Sequence, residues 1–334
     1  MSLEEFLAEW HSDSPTVLVH TSGSTGKPKP LLVEKRRMEA SARITCEFLD
    51  LKPGDSALLC MSLDYIAGKM MVVRALTCGL RLVIIEPSGH PLAQTSNLNA
   101  QTSNLKPQID FAAMVPMQVY NTLRVPAERE RLMQIRHLII GGGAIDEAMA
   151  DVLRTFPHAV WSTYGMTETL SHIALRRLSG PDASEWYTPF EGVSLSLSAE
   201  GCLVIDAPAV HDGLLLTNDM AELSGRRFRI LGRKDNVICS GGIKIQTEEV
   251  ERRLRRHTPV PFLITKRPDE KFGEAMVLLA ESSEALSSLR VLCRQVLDSY
   301  HQPKDYVLVE KLPYTETGKP ARHEAEQLCI KHCL

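Results

Sequence analysis

Residues 111–163 carry three short β-rich runs, Phe111-Ala112-Ala113-Met114-Val115, His137-Leu138-Ile139-Ile140 and Ala159-Val160-Trp161-Ser162-Thr163, with helical stretches after them such as Ile145 to Thr155. Strand–helix alternation of this kind predicts an α/β sheet whose loops converge at the strand ends, where ligands usually bind. The pattern extends upstream. Ala57 to Met61 and Arg81 to Ile85 read as strands flanking a helix over Tyr65 to Thr77, and Arg36 to Leu49 has helical periodicity closed by Lys52-Pro53-Gly54. At the start, Ser2 and Glu5 have capping-box spacing before a helix carrying Leu3, Phe6, Leu7 and Trp10. Thr16-Val17-Leu18-Val19 and Leu31-Leu32-Val33 read as strands on either side of a glycine- and hydroxyl-rich stretch, and Met166 to Arg177 reads as a helix.

After Trp186 the texture changes. Val193 to Leu197, Cys202 to Ile205, Leu214 to Leu216 and Phe228 to Leu231 are short β segments between Gly and Asp turns, which predicts an antiparallel subdomain. Beyond Gly232-Arg233-Lys234-Asp235-Asn236 lies an α+β stretch: a hairpin through Gly241-Gly242, a helix over Glu248 to Arg256, strands near Phe262 and Val277, and a helix over Leu286 to Tyr300. The expected architecture is therefore α/β, a large N-terminal domain over 1–232 with an antiparallel β subdomain and a small α+β domain over 233–334, the boundary lying near Arg233–Asp235. Gln94-Thr95-Ser96-Asn97-Leu98 recurs as Gln101-Thr102-Ser103-Asn104-Leu105; two copies make no solenoid, and they read as a polar loop or helix lead-in.

The 334 residues are 44% hydrophobic and 24% charged, enough for a sizeable core. With Lys+Arg 38 against Asp+Glu 41, the net charge of −3 gives no global argument for nucleic acid or an anionic membrane. Apolar runs such as Ala275 to Ala280 are far short of the roughly 18 residues of a membrane span, and the acidic start Leu3-Glu4-Glu5-Phe6 does not read as a secretory signal. The eight cysteines form no C-x-x-C pair and mostly sit in apolar runs, as buried reduced thiols of a cytoplasmic protein would. Cys329, His332 and Cys333 near His323 fit no common zinc spacing, and a terminal helix face explains them equally well.

Thr21-Ser22-Gly23-Ser24-Thr25-Gly26-Lys27-Pro28-Lys29 gathers hydroxyls, glycines and lysines between two strands. Glycines allow close backbone approach, hydroxyls and N–H groups donate to phosphate oxygens, and lysines supply charge. It is not a Walker motif, because Thr21 stands where Gly is needed and Pro28 follows Lys27. A flexible polar turn is the bland alternative. Tyr164-Gly165-Met166-Thr167-Glu168-Thr169 is expected at a strand-to-helix junction, offering N–H donors and a hydroxyl to phosphate and a carboxylate to Mg²⁺.

These two stretches, with Gly141-Gly142-Gly143-Ala144, Thr217-Asn218-Asp219, Gly232-Arg233-Lys234-Asp235 and Thr317-Gly318-Lys319, fall in the order found in the adenylate-forming acyl-CoA synthetase superfamily, which the chain resembles over nearly its whole length. The resemblance implies ATP, Mg²⁺ and coenzyme A: a carboxylate attacks the α-phosphate of ATP, and CoA then displaces AMP to give a thioester. It implies that Thr21, Ser22, Gly23, Ser24, Thr25, Gly26 and Lys27 cradle the β- and γ-phosphates. Gly143, Ala144, Tyr164 and Gly165 would line the adenine slot, Thr167 would hold the α-phosphate and Glu168 the Mg²⁺. Asp219 and Arg233 would take the ribose, and Lys319 would bridge carboxylate and α-phosphate in the adenylation transition state. Asp235 matches the hinge about which the family's small domain rotates between half-reactions, carrying Gly241, Gly242 and Lys244 to the CoA tunnel.

Within the superfamily the chain most resembles the o-succinylbenzoate–CoA ligases of menaquinone biosynthesis, through the runs Tyr164–Arg176 and Asp235–Ile245 and the position of the phosphate loop only about twenty residues from the start, which implies a shortened N-terminal portion. An acid with a second, aromatic carboxylate calls for an apolar wall and a remote polar or cationic contact. Ser171 and His172, in the first turns of the expected helix, with Tyr65 and Gly68 opposite, are the candidates. Pro30 and Asn218 stand where the family commonly has Gly, without removing a functional side chain. Small-molecule substrates, no nucleic acid and no membrane insertion are expected, and a homo-oligomer covering an exposed apolar face is left open. Competing readings are a ligase for another aryl or fatty acid or for a carrier protein, and a nucleotide-binding regulatory paralogue without activity.

Overall fold

The computed structural model describes residues 1–20, 30–93, 109–143, 145–315 and 320–333. The duplicated segment at 94–105 lies outside them. The chain opens with α1 (Leu3–His11), where the Ser2 hydroxyl accepts the Glu5 N–H and the Glu5 carboxylate accepts the Ser2 N–H, as the spacing predicts. β1 (Thr16–His20) and β2 (Pro30–Glu34) pair antiparallel, so residues 21–29 join the two strands of a hairpin. Pro30 is the first residue of its strand, a position that a missing N–H tolerates.

The main body alternates strand and helix: α2 (Lys35–Phe48), β3 (Ser56–Leu59), α3 (Ile66–Cys78), β4 (Arg81–Ile84), β5 (Phe111–Met114), α4 (Pro116–Leu123), α5 (Pro126–Met133), β6 (His137–Ile140), α6 (Glu147–Arg154), β7 (Ala159–Gly165), β8 (His172–Arg177) and β9 (Thr188–Pro189). They build one sheet in the order β4-β3-β5-β6-β7-β8-β9, parallel through β7 and antiparallel beyond it. Both faces are covered. Ala57, Leu59, Phe111 and Ala113 point into a core shared with α1, α2 and α3, while Leu58, Ala112, Met114, Leu138 and Ile140 point into a second core with α4, α5 and α6.

The antiparallel subdomain is the sheet β10 (Ser194–Leu197), β11 (Cys202–Asp206), β12 (Leu214–Ser224) and β13 (Arg227–Arg233). Strand β12 runs much further than its apolar start suggests, because β11 pairs it on both sides of Thr217-Asn218-Asp219 and β13 pairs it from Asp219 to Ser224. The C-terminal part consists of β14 (Val237–Ser240), β15 (Ile243–Gln246), α7 (Thr247–Arg255), β16 (Leu263–Asp269), β17 (Gly273–Ala280), α8 (Ser283–Val296), β18 (Asp305–Leu308) and α9 (Arg322–Cys333). Its five strands form their own sheet, and its two apolar clusters draw only on residues from Ile238 onward. No helix among the described residues is long and apolar enough to cross a membrane.

One element departs from expectation. Met166 to Arg177 is not a helix: a 3-10 turn at Thr167–Thr169 is followed by β8. The apolar spacing of Met166, Leu170 and Ile173 suits a helix, but tertiary pairing overrides it, with Thr163 opposite Leu175 and Tyr164 opposite Ala174. The reversal needs Gly165, where a Cβ would sit 2.1 Å from the Ser171 carbonyl oxygen. It also holds Leu170 at φ 64°, a left-handed conformation costly for a buried branched residue. Thr167 and Glu168 therefore sit in a tight turn, and Ser171, His172 and Arg176 belong to the turn-to-strand junction and the strand.

Candidate active site

The carboxyl ends of β6 and β7 lie side by side on the parallel sheet, where ligands of α/β folds bind. Gly141-Gly142-Gly143 follows β6. A Cβ at Gly141 would meet Thr163 Oγ1 at 2.4 Å, and Gly142 adopts φ +79°, so this crossing admits only glycine-like backbone. Gly143 packs beside Pro116, 3.3 Å from where its Cβ would be. Ala144 lies outside the described residues, as do the whole loop Thr21, Ser22, Gly23, Ser24, Thr25, Gly26 and Lys27, and Lys319.

At the end of β7 the Tyr164 ring packs edge-on against Phe228 and near Tyr187. Its hydroxyl donates to Asp219 Oδ2 at 2.7 Å. Burial, reinforced by the Asp219 carboxylate, raises the phenol above its ordinary range, so it stays a donor. Asp219 is held from its other side as well: its N–H donates to Thr217 Oγ1, and that hydroxyl donates to the Leu203 carbonyl. Asp219 faces Arg233 directly across the β12–β13 ladder, so two residues fourteen apart in sequence become neighbours by register. Arg233 and Asn218 both donate to Asp235 Oδ2 at 3.2 Å. Asn218, where the family commonly has Gly, thus ties the hinge candidate to β12 through an exposed and individually weak contact.

Thr167 is buried in its turn, and Glu168 is exposed beside it. The turn is held by Thr169, a residue the sequence reading did not single out: its hydroxyl accepts the Met166 N–H and lies 2.8 Å from the Ser171 carbonyl, which it can donate to. Among the described residues no three His, Cys, Asp or Glu side chains gather into a cation cage. One exposed carboxylate suits Mg²⁺ that arrives with its waters on a polyphosphate, because that ion is usually held by one or two carboxylates plus substrate oxygens. The seven cysteines from Cys46 to Cys329 are free thiols, and Cys239 alone of these is exposed.

On the other side of Gly165 lies a group that sequence reasoning missed. Arg74, in the third turn of α3, is fully buried, and its Nη2 donates to Ser171 Oγ at 2.7 Å. No carboxylate pairs with it among the described residues, and its Nε has no hydrogen-bond partner there. Burial pulls the guanidinium down to about 10, still charged at neutral pH. His172 is buried next to it, with Nδ1 3.1 Å from Ser171 Oγ, Nε2 3.2 Å from Thr45 Oγ1, and its ring near Phe190. Burial first, and then the Arg74 charge, hold this imidazole well below its ordinary range and hence neutral. Tyr65 is exposed just before α3, whereas Gly68 is buried and has a packing reason: a Cβ there would lie 2.2 Å from the Ser62 carbonyl oxygen.

In the C-terminal part, Gly241 and Gly242 (φ +59° and +83°) make the two-residue β14–β15 turn, which requires φ > 0 at both positions. The Gly241 N–H donates to the Phe272 carbonyl, and Lys244 is exposed on β15.

With this geometry in view, the AMP-binding enzyme family model matches residues 4–205. Curated relatives include 2-succinylbenzoate–CoA ligases of Bacillus cereus, 24% identical over 96% of this chain and 71% of the relative, and of Listeria monocytogenes, 23% identical over 97% and 72%. Among solved structures, an AMP-forming acyl-CoA synthetase/AMP-acid ligase II-like protein from Dyadobacter fermentans is 33% identical, covering 96% of this chain and 91% of its own, with a TM-score of 0.64. The o-succinylbenzoate CoA synthetase of Bacillus subtilis, in complex with its acyl-adenylate intermediate, shares the fold at 22% identity and a TM-score of 0.73, over 92% of this chain and 68% of its own. The chain belongs to the AMP-binding enzyme family.

Proposed function

We propose that this protein is an AMP-forming acid–thiol ligase that converts o-succinylbenzoate, through an acyl-adenylate, to its CoA thioester. The observation that carries the choice of acid is Arg74. A buried guanidinium without a carboxylate is costly, and a ligand carboxylate seated against it relieves that cost. Its partner Ser171 abuts Gly165 at the end of β7, so the cation lies next to the nucleotide side of the site. An acid activated at one carboxylate and anchored by a second fits that arrangement, and relatives named for o-succinylbenzoate support the same class.

The chemistry brings two anions together at the α-phosphorus, and cations with oriented donors offset the charge. Ser22, Ser24, Thr25 and Lys27 hold the β- and γ-phosphates, and Thr167 the α-phosphate. Glu168 would hold the Mg²⁺, which would supply positive charge against the phosphates. Tyr164 and Gly143 flank adenine, while Asp219, fixed by Tyr164 and Thr217, accepts the ribose hydroxyls beside Arg233. Lys319 acts only while adenylation charge develops. Residues 233–334 then turn about Asp235 and present Gly241, Gly242 and Lys244 to CoA. The experiment is thioester detection with ATP, Mg²⁺, CoA and o-succinylbenzoate, alongside pyrophosphate exchange across a panel of acids. The dicarboxylate should give the strongest exchange, and a response confined to long-chain acids would overturn the assignment.

A further inference from the structure

The hydrogen bonds beneath Arg74 have one consistent direction. Thr45 Oγ1 lies 3.0 Å from the Ser41 carbonyl, which can only accept, so the threonine proton goes there. The 3.2 Å contact between Thr45 and His172 therefore carries the Nε2 proton, donated by the imidazole. A neutral imidazole protonated at Nε2 has a bare Nδ1, so the Ser171 hydroxyl donates to it at 3.1 Å. Ser171 Oγ is then left to accept from Arg74 Nη2 at 2.7 Å. This is the assignment that satisfies all four contacts. It runs one way from the guanidinium on α3, through the turn-to-strand junction, to the backbone of α2, and Thr45, His172 and Arg74 are each buried.

We infer that Thr45 and His172 are positioning residues that set acid specificity: by orienting the Ser171 hydroxyl they hold Arg74 with Nη2 on Ser171 and Nη1 beside Met71 Sδ, so that Nε is left for the second carboxylate of the substrate. This rests on the proposed dicarboxylate substrate. Neither residue touches the reacting atoms. If the Thr45 hydroxyl is removed, the Nε2 proton is buried without an acceptor, the imidazole is driven to the other tautomer, and Ser171 then receives a proton from both sides.

The test compares two acids on the intact enzyme: o-succinylbenzoate and 4-oxo-4-phenylbutanoate, which keeps the activated carboxylate and lacks the one on the ring. Thr45→Val should raise KM for the first about tenfold with kcat little changed, as expected for loss of one buried hydrogen bond to a charged network. KM for the second should stay at the wild-type value, and Thr45→Ser, which restores the hydroxyl, should recover the first. A general packing defect would move both acids together and lower the melting temperature of Thr45→Val and Thr45→Ser alike. Equal changes for both acids, an unchanged KM, or a serine variant no better than valine overturns the inference while leaving the ligase assignment standing. A wild-type enzyme that does not favour the dicarboxylate overturns the inference and the choice of o-succinylbenzoate together.

Discussion

Replacing Arg74 by methionine should make the free protein more stable and the enzyme worse. Burial lowers the guanidinium from its ordinary range to about 10, a cost to the charged form of roughly 3 kcal/mol at 1.36 kcal/mol per pH unit. Because the folded value is depressed but still far above neutrality, that cost is carried in full at pH 7 and is relieved only as pH rises above about 10. The variant also loses the charge-assisted bond to half-buried Ser171, worth about 1.5 kcal/mol, the lower end for a bond to a charged group. Methionine fills the same volume between apolar neighbours such as Met70 and Met71. The net expectation for Arg74→Met is a gain of about 1–2 kcal/mol, seen as a higher urea midpoint followed by fluorescence of the three tryptophans. In the same variant KM for the dicarboxylate should rise roughly a hundredfold, the scale for removing one partner of a buried charge pair. The monocarboxylate analogue should be handled as well as before. A variant that is less stable and keeps its KM would mean that Arg74 serves the fold and meets no substrate carboxylate.

Three further outcomes are expected. Lys319→Ala should lower adenylation by about a hundredfold or more, while CoA transfer to preformed acyl-adenylate persists; equal loss of both steps would contradict a role confined to the first. Tyr164→Phe removes the 2.7 Å bond to Asp219, and pyrophosphate exchange should report an ATP KM raised roughly fivefold with the acid KM unchanged; no change in ATP KM would show that Asp219 needs no such support. Stability should fall on acidification. Burial, with Arg136 and Arg177 nearby, lowers His137 to about 4, and His172 is held well below its ordinary 6.5. In the unfolded chain both bind protons near 6.5, so their contribution is complete above that pH and declines as pH falls through it towards 4. Melting temperatures between roughly pH 7.5 and pH 5 measure this, and His137→Asn should flatten part of the slope; a flat wild-type curve would refute it.

What could be read along the chain is what neighbours in sequence decide. The parallel strands are legible because a sheet covered on both faces needs short apolar runs, and Ala57–Leu59 and Phe111–Met114 supply them. The Ser2–Glu5 cap and the Gly241-Gly242 turn are equally local. The Met166–Arg177 error marks the limit, since an apolar spacing that suits a helix was outweighed by pairing with β7. The same limit hid the proposed acyl anchor. Arg74 sits among Met70, Met71, Val72, Val73 and Ala75, where a lone arginine ordinarily extends its head to water. Its burial follows only from where α3 packs, against α2, β3 and β4, with Ser171 at the guanidinium. Its partner Ser171 is 97 residues away, and Thr45 meets His172 across 127. Phosphate and ribose chemistry is common to every substrate of the family, so compact motifs carry it. Acid selection is particular to one substrate, and in the proposed site it is assembled from single residues on α2, α3 and the strand after the Thr167–Thr169 turn, each unremarkable alone. A search for acid specificity in related chains should therefore follow the polarity of the position facing Thr45 and the charge at Arg74 together, because either one without the other leaves a buried proton or a buried cation unpartnered.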